Sequence, residues 1–325
     1  MNVYVVGAGA VGTYLGDKLS NADTTIQYAP RRLDDVERVE ADLAIVAVKA
    51  YDTDQAIATL QQALGADSHA TIVCPQNGVG NEEKLAAVFG ADAVVACSLT
   101  VAVDRTRDGE VVPSNEGGLG LAPVGKVAHN WLVAAFEQSG LPVKVYSDYR
   151  ALKWSKLALN IVANASCAIL NVLPERLLTM DQMFSLEVRA QRETAAVMKA
   201  LGVKAVDLPR YPVRALQGLV GLPTPVARMI LANRIAGGRG RKPPSLLLDL
   251  RAAKGRTEVE VLNGAVARAG RELGVQTPVS TVLARVLDDI AHMPQLWAKY
   301  RERPQALCAE VEAEQQRGAN VGARA

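Results

Sequence analysis

Short apolar segments alternate with amphipathic segments over the first 147 residues. The apolar segments have the length and β-branched content of strands, and the stretches between them have the spacing of helices. Several strands, such as Leu-Ala-Ile-Val-Ala-Val from Leu43, are apolar at consecutive positions, as expected when helices cover both faces of a parallel sheet. The predicted strands are residues 3–6, 25–28, 43–48, 71–74, 94–101 and 143–146, with a hairpin or excursion in 101–120.

After residue 147 the pattern changes to long helical periods. Ser147 and Asp148 are suitable N-cap residues for a helix that continues towards Leu170. Glycine and proline interrupt the helical pattern at 218–225 and 237–244, and the polar stretch from Glu312 is expected to fray. The sequence therefore predicts an α/β fold, with an N-terminal Rossmann dinucleotide-binding domain at 1–147, a mostly α-helical domain at 148–311 and a tail at 312–325.

Composition narrows the class of protein. The chain has 325 residues, a formal net charge of +2 and 49% hydrophobic residues, so it is expected to fold and not to be a dedicated nucleic-acid binder. Four dispersed cysteines and three histidines suggest neither a disulfide framework nor a metal site. The apolar start lacks a basic region, and the longest uncharged run contains three asparagines. We expect a cytoplasmic protein without a membrane helix.

A glycine motif follows the first predicted strand. Gly7, Gly9 and Gly12 lie between that strand and a helical pattern, which is the context of a dinucleotide-binding fingerprint. Gly7 would permit the tight turn, Gly9 the approach of the pyrophosphate, and Gly12 the close packing of helix and strand. Ala10 and Val11 then belong to the helix N-terminus that faces the phosphates. The alternative is an ordinary glycine-rich turn.

The end of the second strand bears on cofactor choice. An NAD site places an acid there for the ribose hydroxyls, but this chain continues from Gln27 to Arg31 and Arg32 without one. A guanidinium at that place can bind a 2′-phosphate with two hydrogen bonds, which favours NADPH/NADP+. The alternative is a solvated pair of arginines.

A row of polar residues lies in the otherwise apolar stretch after residue 155. Lys156, Asn160 and Asn164 are four residues apart and would share one helix face. Burying such a row without partners costs about 1–3 kcal/mol per group, so a ligand is the simplest explanation. Alternatively, the asparagines bond to a neighbouring loop and the lysine extends to solvent. Lys153 competes as the active lysine, but only Lys156 continues the spacing to both asparagines.

The segment 208–256 is strongly basic, with only one acid, Asp249. Its charge could steer an anionic substrate or cofactor, or it could be a solvated face. The basic residues are Arg210, Arg214, Arg228, Arg234, Arg239, Arg241, Lys242, Arg251, Lys254 and Arg256.

Taken together, the motifs resemble the ketopantoate reductase (2-dehydropantoate 2-reductase) family over nearly the whole chain. They occur in the family's order, although the segment between the second strand and Ala41 is shorter than in the family. The motifs are GAGAVG from Gly7, Lys49 in AVKAYDT, QNGVG from Gln76, Lys156 with Asn160 and Asn164, Ser245 in SLLLD, and Thr257-Glu258 in RTEVEVLNG.

The resemblance implies a reductase in which Lys156 is the general acid and Glu258 a partner of the substrate. Hydride delivered to a 2-keto carbon builds negative charge on the keto oxygen. An ammonium group held there stabilises that charge and then supplies the proton.

The remaining site residues are also implied by the resemblance. Asn77 would lie beside the nicotinamide and the substrate, and Lys49 would line the cofactor cleft. Asn160 and Asn164 would hold the substrate hydroxyl, and Ser245 its carboxylate. The active site is then expected in the cleft between the two domains.

Other functions remain open at this point. The rivals are reduction of another branched 2-keto acid, a β-hydroxyacid dehydrogenase, and an NADP-sensing regulator without turnover. The partners expected are a small 2-keto acid, with no nucleic acid and no membrane. The oligomeric state is open, with a homodimer as one alternative.

Overall fold

The structure of the protein is a computed structural model that describes residues 1–106, 108–229 and 242–322. They form two compact units, neither continuous in sequence. Unit 1 comprises Met1–Lys156 and Val206–Pro212, and unit 2 comprises the described part of Leu157–Ala205 and Val213–Ala325. The first boundary between the two units, at Lys156, lies within the helix Tyr149–Asn160. The domain boundary predicted from the sequence, at residue 147, lies before that helix.

Unit 1 is built on a sheet in the order β2-β1-β3-β4-β5-β8-β9. Neighbouring strands are parallel except β5 and β8, which are antiparallel. All six predicted strands are confirmed, but β8 was not predicted. The strands of unit 1 are β1 (Asn2–Val6), β2 (Thr25–Tyr28), β3 (Leu43–Val46), β4 (Thr71–Cys74), β5 (Val94–Leu99), β6 (Val103–Arg105), β7 (Val111–Pro113), β8 (Leu119–Pro123) and β9 (Val143–Val145).

Helices cover both faces of the sheet. Successive side chains of a strand point to opposite faces. Accordingly, Val3 and Val5 join one buried cluster with Leu15, while Tyr4 joins another with Leu60. Every residue of β3 and β4 is buried, which explains their unbroken apolar sequence. The helices are α1 (Ala10–Leu19), α2 (Thr53–Leu64), α3 (Asn81–Phe89), α4 (Asn130–Gln138) and α5 (Tyr149–Asn160), which runs on into unit 2.

Two connections of unit 1 differ from a regular succession of strand and helix. β6 and β7 form the predicted hairpin as a separate two-stranded sheet. The connection from β2 to β3 contains only a 3-10 turn, Leu33–Asp35. The usual doubly wound sheet has a further strand beyond the second one. Here β2 pairs with β1 alone and is the edge strand.

Residues 206–212, which we call the strap, return to unit 1 from the second half of the chain. The Asp207 carbonyl oxygen accepts hydrogen bonds from Lys144 Nζ at 2.9 Å and from the Tyr146 hydroxyl at 2.7 Å. The Val206 N–H donates to Ser155 Oγ at 2.9 Å. These contacts hold the strap against β9 and the end of α5.

Unit 2 is helical in all its named elements apart from short 3-10 turns. None of the described helices has the length and apolarity needed to span a lipid bilayer. The helices are α6 (Ala165–Leu170), α7 (Pro174–Thr179), α8 (Asp181–Ala200), α9 (Val213–Val220), α10 (Ser245–Arg251), α11 (Asn263–Leu273), α12 (Pro278–His292), α13 (Trp297–Tyr300) and α14 (Pro304–Gly322).

The predicted continuous helix from 148 to Leu170 is wrong in its second half. Asp148 caps it as expected, since its Oδ1 accepts from the N–H groups of Arg150 and Ala151. However, α5 ends at Asn160, and Ala163 has a φ of 50°, which is left-handed. The buried Glu187 carboxylate accepts the Ala163 N–H at 2.7 Å. This contact satisfies a backbone group that a continuous helix would have bonded internally.

The end of the chain also differs from the prediction of a fraying segment from Glu312. The structure continues α14 to Gly322. Leu307 and Val311 of this helix are buried, and Glu310 pairs with Arg285 at 2.8 Å and Lys299 at 2.7 Å. Burial of one apolar stripe stabilises a helix whose outer face is polar. Of the two predicted interruptions, the first follows α9, while most of 237–244 lies outside the described residues.

Candidate functional site

The glycine motif forms the turn from β1 into α1, and its three glycines have three different surroundings. Gly7 has a φ of 109°, which favours glycine. A Cβ on Gly12 would lie 2.0 Å from the Gly7 carbonyl oxygen, so only glycine allows the helix to approach the turn. A Cβ on Gly9 would meet nothing within 4 Å. The backbone at Gly9 therefore borders open space, as the approach of a pyrophosphate requires.

The start of α1 has the features of an anion site. No side chain caps the helix and its first turn has no acidic residue. The first intrahelical bond runs from the Thr13 N–H to the Gly9 carbonyl, which leaves the N–H groups of Ala10, Val11 and Gly12 without an acceptor in the α1 ladder. These groups and the helix dipole suit a phosphate. The residues present thus fit the diphosphate of a dinucleotide.

Arg105 lies beside this loop, and sequence reasoning missed it. Its Nη2 donates to the Ala8 carbonyl at 3.0 Å and to Thr13 Oγ1 at 3.2 Å, and its Nη1 donates to Gly109 at 2.8 Å. The guanidinium therefore joins the β6–β7 hairpin to the glycine loop and adds a positive charge there. The charged hairpin sequence is visible from the chain, but this long-range contact is not.

The arginines after β2 are exposed. Arg32 makes a solvent-exposed ion pair with Asp34 at 3.8 Å, which contributes little to stability. Arg31 directly follows Pro30 at the end of the edge strand, where no acidic side chain lies between Gln27 and Arg31. Its assignment to a 2′-phosphate stays a prediction.

Lys49 and Asn77 follow adjacent parallel strands, β3 and β4, so their loops lie at the same edge of the sheet. Both residues are half-buried. Gln76 Nε2 donates to the Val48 carbonyl at 3.1 Å and thereby ties one loop to the other. Asn81 Nδ2 donates to the Asn77 carbonyl at 3.1 Å. The structure thus places these two predicted residues on loops that are directly bonded.

Of the two candidate lysines on α5, Lys153 is buried and Lys156 is half-buried. Lys153 Nζ lies 2.8 Å from Glu82 Oε1, and the side chains are only 3% and 1% exposed. Burial lowers the pKa of Lys153, but the Glu82 carboxylate more than offsets this, so the net pKa is raised. Lys153 is therefore a paired ammonium, which makes it a poor proton donor and supports Lys156 as the acid.

The polar row of the sequence divides at the end of α5. Lys156 and Asn160 share a face of this helix, but Asn164 lies beyond it as the N-cap residue of α6. Placing all three on one helix face was wrong for Asn164, because the chain leaves the helix at Asn160. The predicted order of the residues is kept, but their common helix is not.

Asn164 is nevertheless brought to two other predicted residues, in agreement with the alternative that it bonds a neighbouring segment. Its Nδ2 donates to the Asn160 carbonyl at 3.0 Å and to Ser245 Oγ at 3.4 Å. Its Oδ1 accepts from the Leu246 N–H at 3.2 Å. The Asn164 side chain thus joins the end of α5, through the Asn160 carbonyl, to Ser245 and the start of α10 in unit 2.

Glu258 is also in unit 2 and is only 4% exposed. It begins a 3-10 turn, Glu258–Val261, which Thr257 caps by accepting the Val259 N–H at 3.3 Å. Its proposed role towards substrate stays a prediction.

The structure shows acidic partners for three basic residues of the segment 208–256. Arg210 pairs with Glu116 at 2.9 Å and Lys254 with Asp249 at 2.6 Å, and Arg228 pairs with Asp181. These pairs favour the interpretation of a charged face over that of a steering patch for the residues concerned. Arg234, Arg239 and Arg241 lie outside the described residues.

The sheet is mostly parallel and has helices on both faces, and the glycine loop after β1 leads into a helix without a side-chain cap. These features define a dinucleotide-binding protein of the Rossmann class. Comparison with known proteins then gives the family. The model "Ketopantoate reductase PanE/ApbA" matches residues 25–126, and "Ketopantoate reductase PanE/ApbA C terminal" matches 148–291. The chain belongs to the ketopantoate reductase family.

Individual relatives agree with this assignment. A 2-dehydropantoate 2-reductase of Halobacterium salinarum is 27% identical, over 87% of this chain and 97% of its own. A crystal structure of a PanE/ApbA family ketopantoate reductase from Ralstonia eutropha superposes with a TM-score of 0.74 at 28% identity, covering 91% of this chain and 100% of the other. D-mandelate dehydrogenase in complex with NADH shares the fold, with a TM-score of 0.72 at 19% identity, over 90% and 99% of the two chains.

Proposed function

We propose that the protein reduces 2-dehydropantoate to pantoate with NADPH, as an oxidoreductase of pantothenate biosynthesis. The observation that carries the proposal is the half-buried Lys156 on α5, one turn before Asn160, in a chain that belongs to the ketopantoate reductase family. The glycine loop supplies the cofactor site, and Asn160, Asn164 and Ser245 supply polar groups for a small hydroxy acid.

The proposed chemistry assigns one task to each group. When bound, the reduced nicotinamide supplies a hydride to the 2-keto carbon. Lys156 stabilises the negative charge that develops on the keto oxygen and then donates a proton to it, so that a hydroxyl forms. Asn160 and Asn164 hold the substrate hydroxyl, Ser245 binds the carboxylate, and Glu258 is a further partner of the substrate.

The proposal also includes a preference for NADPH over NADH. It is supported by the lack of an acid at the end of β2 and by Arg31 after that strand. Arginine suits a phosphate because its guanidinium donates two parallel hydrogen bonds. An acid in place of Arg31 would favour the free ribose hydroxyls instead.

The test is a steady-state assay of wild-type protein with NADPH and NADH and three keto acids. The acids are ketopantoate, 2-ketoisovalerate, which lacks the hydroxymethyl group, and phenylglyoxylate. We expect the highest kcat/KM with ketopantoate and NADPH. A higher kcat/KM with either other acid would refute the substrate, and an equal or higher value with NADH would refute the cofactor preference.

Variants of the two arginines locate the phosphate contact. Arg31→Ala should weaken NADPH binding about tenfold or more while changing NADH binding little, since a charge-assisted hydrogen bond contributes roughly 1.5–3 kcal/mol. Arg105→Ala is the companion variant at the glycine loop. An equal loss with both cofactors would assign the altered arginine to the loop or diphosphate and not to the 2′-phosphate.

A further inference from the structure

The ion pair of Lys153 and Glu82 is the most deeply buried pair of opposite charges described in unit 1, and the proposed chemistry does not use it. The two side chains are 3% and 1% exposed, and their charged atoms are 2.8 Å apart. Removing two charges from water is costly, and a buried ion pair is often no more stabilising than apolar residues of the same size. Stability alone is therefore a weak explanation for this pair.

Lys153 also contacts the backbone that leads to Asn77. Its Nζ donates to the Gln76 carbonyl at 2.5 Å and lies 3.4 Å from the Cys97 carbonyl on β5. The ammonium thus contacts two backbone carbonyls in addition to its ion pair with Glu82. The Gln76 carbonyl belongs to the peptide group that precedes Asn77. Lys153 therefore fixes the plane of that peptide relative to α5.

The Gln76 side chain extends the contact to the Lys49 loop. Its Nε2 donates to the Val48 carbonyl at 3.1 Å and to Thr53 Oγ1 at 2.9 Å. The Thr53 hydroxyl is in turn 3.1 Å from Asn81 Oδ1, and Asn81 Nδ2 donates to the Asn77 carbonyl at 3.1 Å. Hydrogen bonds thus connect α5, the loop after β4 and the loop after β3.

We propose that Lys153 is a positioning residue, which together with Glu82 holds Asn77 and Lys49 in register with Lys156, one turn further along α5. The inference rests on the proposed function only in taking Asn77, Lys49 and Lys156 as site residues. It gives Lys153, the competing lysine of this helix, a role other than that of the active acid. Removal of Lys153 alone leaves the Glu82 carboxylate buried without its counter-charge.

The test compares the single variant Lys153→Met with the double variant Lys153→Met/Glu82→Leu. The single variant should unfold at a Tm lower by roughly 6–20 °C, because one partner of a buried pair is lost. The double variant removes both charges and should recover to within about 5 °C of wild type. Its kcat should nevertheless stay at least about tenfold below wild type, because the loops that carry Asn77 and Lys49 have lost the contact that holds them. Lys84→Ala is the matched control, since Lys84 lies on α3 like Glu82 but makes only an exposed ion pair with Asp54 of α2; it should leave Tm and kcat unchanged.

Hydrogen exchange of the backbone amides of 76–81 separates this proposal from the proposed function. In the double variant these amides should exchange about tenfold faster or more, with those of β1 and α1 unchanged. Unchanged exchange, or wild-type kcat in the folded double variant, would overturn the positioning role. A wild-type protein that does not reduce ketopantoate would instead refute the proposed substrate, and the exchange measurement would still decide the role of Lys153.

Discussion

Replacing Gly9 with alanine should weaken cofactor binding while leaving the folded protein about as stable as before. Gly9 has a φ of −77° and a ψ of −176°, which alanine adopts without strain, and its Cβ would meet nothing within 4 Å. The smaller entropy of the unfolded chain favours alanine by about 0.4–1 kcal/mol, and its poorer N-cap character offsets this by a similar amount. The net change in unfolding free energy should be within about 1 kcal/mol, or about 4 °C in Tm.

The same methyl group would occupy space that the pyrophosphate needs. Losing one charge-assisted hydrogen bond to a phosphate costs roughly 1.5–3 kcal/mol, so the Kd for NADPH should rise about 10- to 150-fold. Fluorescence titration with NADPH and a thermal melt measure the two effects separately.

Gly12→Ala provides the contrast. Its Cβ would lie 2.0 Å from the Gly7 carbonyl oxygen, so backbone must move, and we expect a loss of about 1–3 kcal/mol in unfolding free energy. If Gly9→Ala bound NADPH as wild type does, the open space at Gly9 would have no role in the cofactor site. If it destabilised the protein as much as Gly12→Ala, the packing argument would be wrong.

Three further predictions concern single side chains. Lys156→Ala should lower kcat roughly 10²- to 10⁴-fold with NADPH binding retained, as expected for loss of a positioned acid; near-normal turnover would exclude that role. Hydrogen bonds from Lys299 and Arg285 lower the pKa of Glu310 to about 2, so its stabilising effect should be complete above the unfolded-state value near 4.3 and be lost as pH falls towards 2. Glu310→Gln should therefore reduce Tm at pH 7 and have little effect at pH 2, and an equal effect at both would contradict the assignment. A thiol reagent should label the native protein at Cys308 first, since the other three free cysteines are buried; early labelling of Cys97, whose pKa burial raises to about 12, would be inconsistent with the structure.

Strands were predicted correctly where the residues themselves have a strong preference for β-structure. The strands at 25–28 and 71–74 are short β-rich runs, and their observed limits agree with the prediction. β8 was missed because Leu-Gly-Leu-Ala-Pro has weak strand preference. Its pairing with β5, for example Leu99 with Leu119, decides its conformation.

The break after Asn160 has a similar origin. The sequence there contains no glycine or proline, so nothing local ends the helix. Glu187 is far along the chain and accepts the Ala163 N–H only in the folded unit. Tertiary contacts thus override helix propensity at this point.

In the candidate site, too, local motifs could be predicted and contacts between distant segments could not. The glycine loop is a contiguous motif whose geometry follows from residue type, so the turn at Gly7 and the close packing at Gly12 could be predicted. The pairing of Lys153 with Glu82 and the contact of Arg105 with Ala8 join distant segments, and neither side chain carries a local signal of its partner. The helical spacing argument also placed Asn164 on a helix that the chain has already left.

The strap has a consequence for synthesis on the ribosome. The chain leaves unit 1 at Lys156 and supplies the last segment of that unit only at 206–212. At about 5–20 residues per second, translation of the intervening residues takes roughly 3–11 s. During that interval Lys144 and Tyr146 lack the Asp207 carbonyl that they bind in the finished protein. Unit 1 therefore matures only after the first part of unit 2 has been made, and a gene fragment ending at residue 156 would encode unit 1 in an unfinished state.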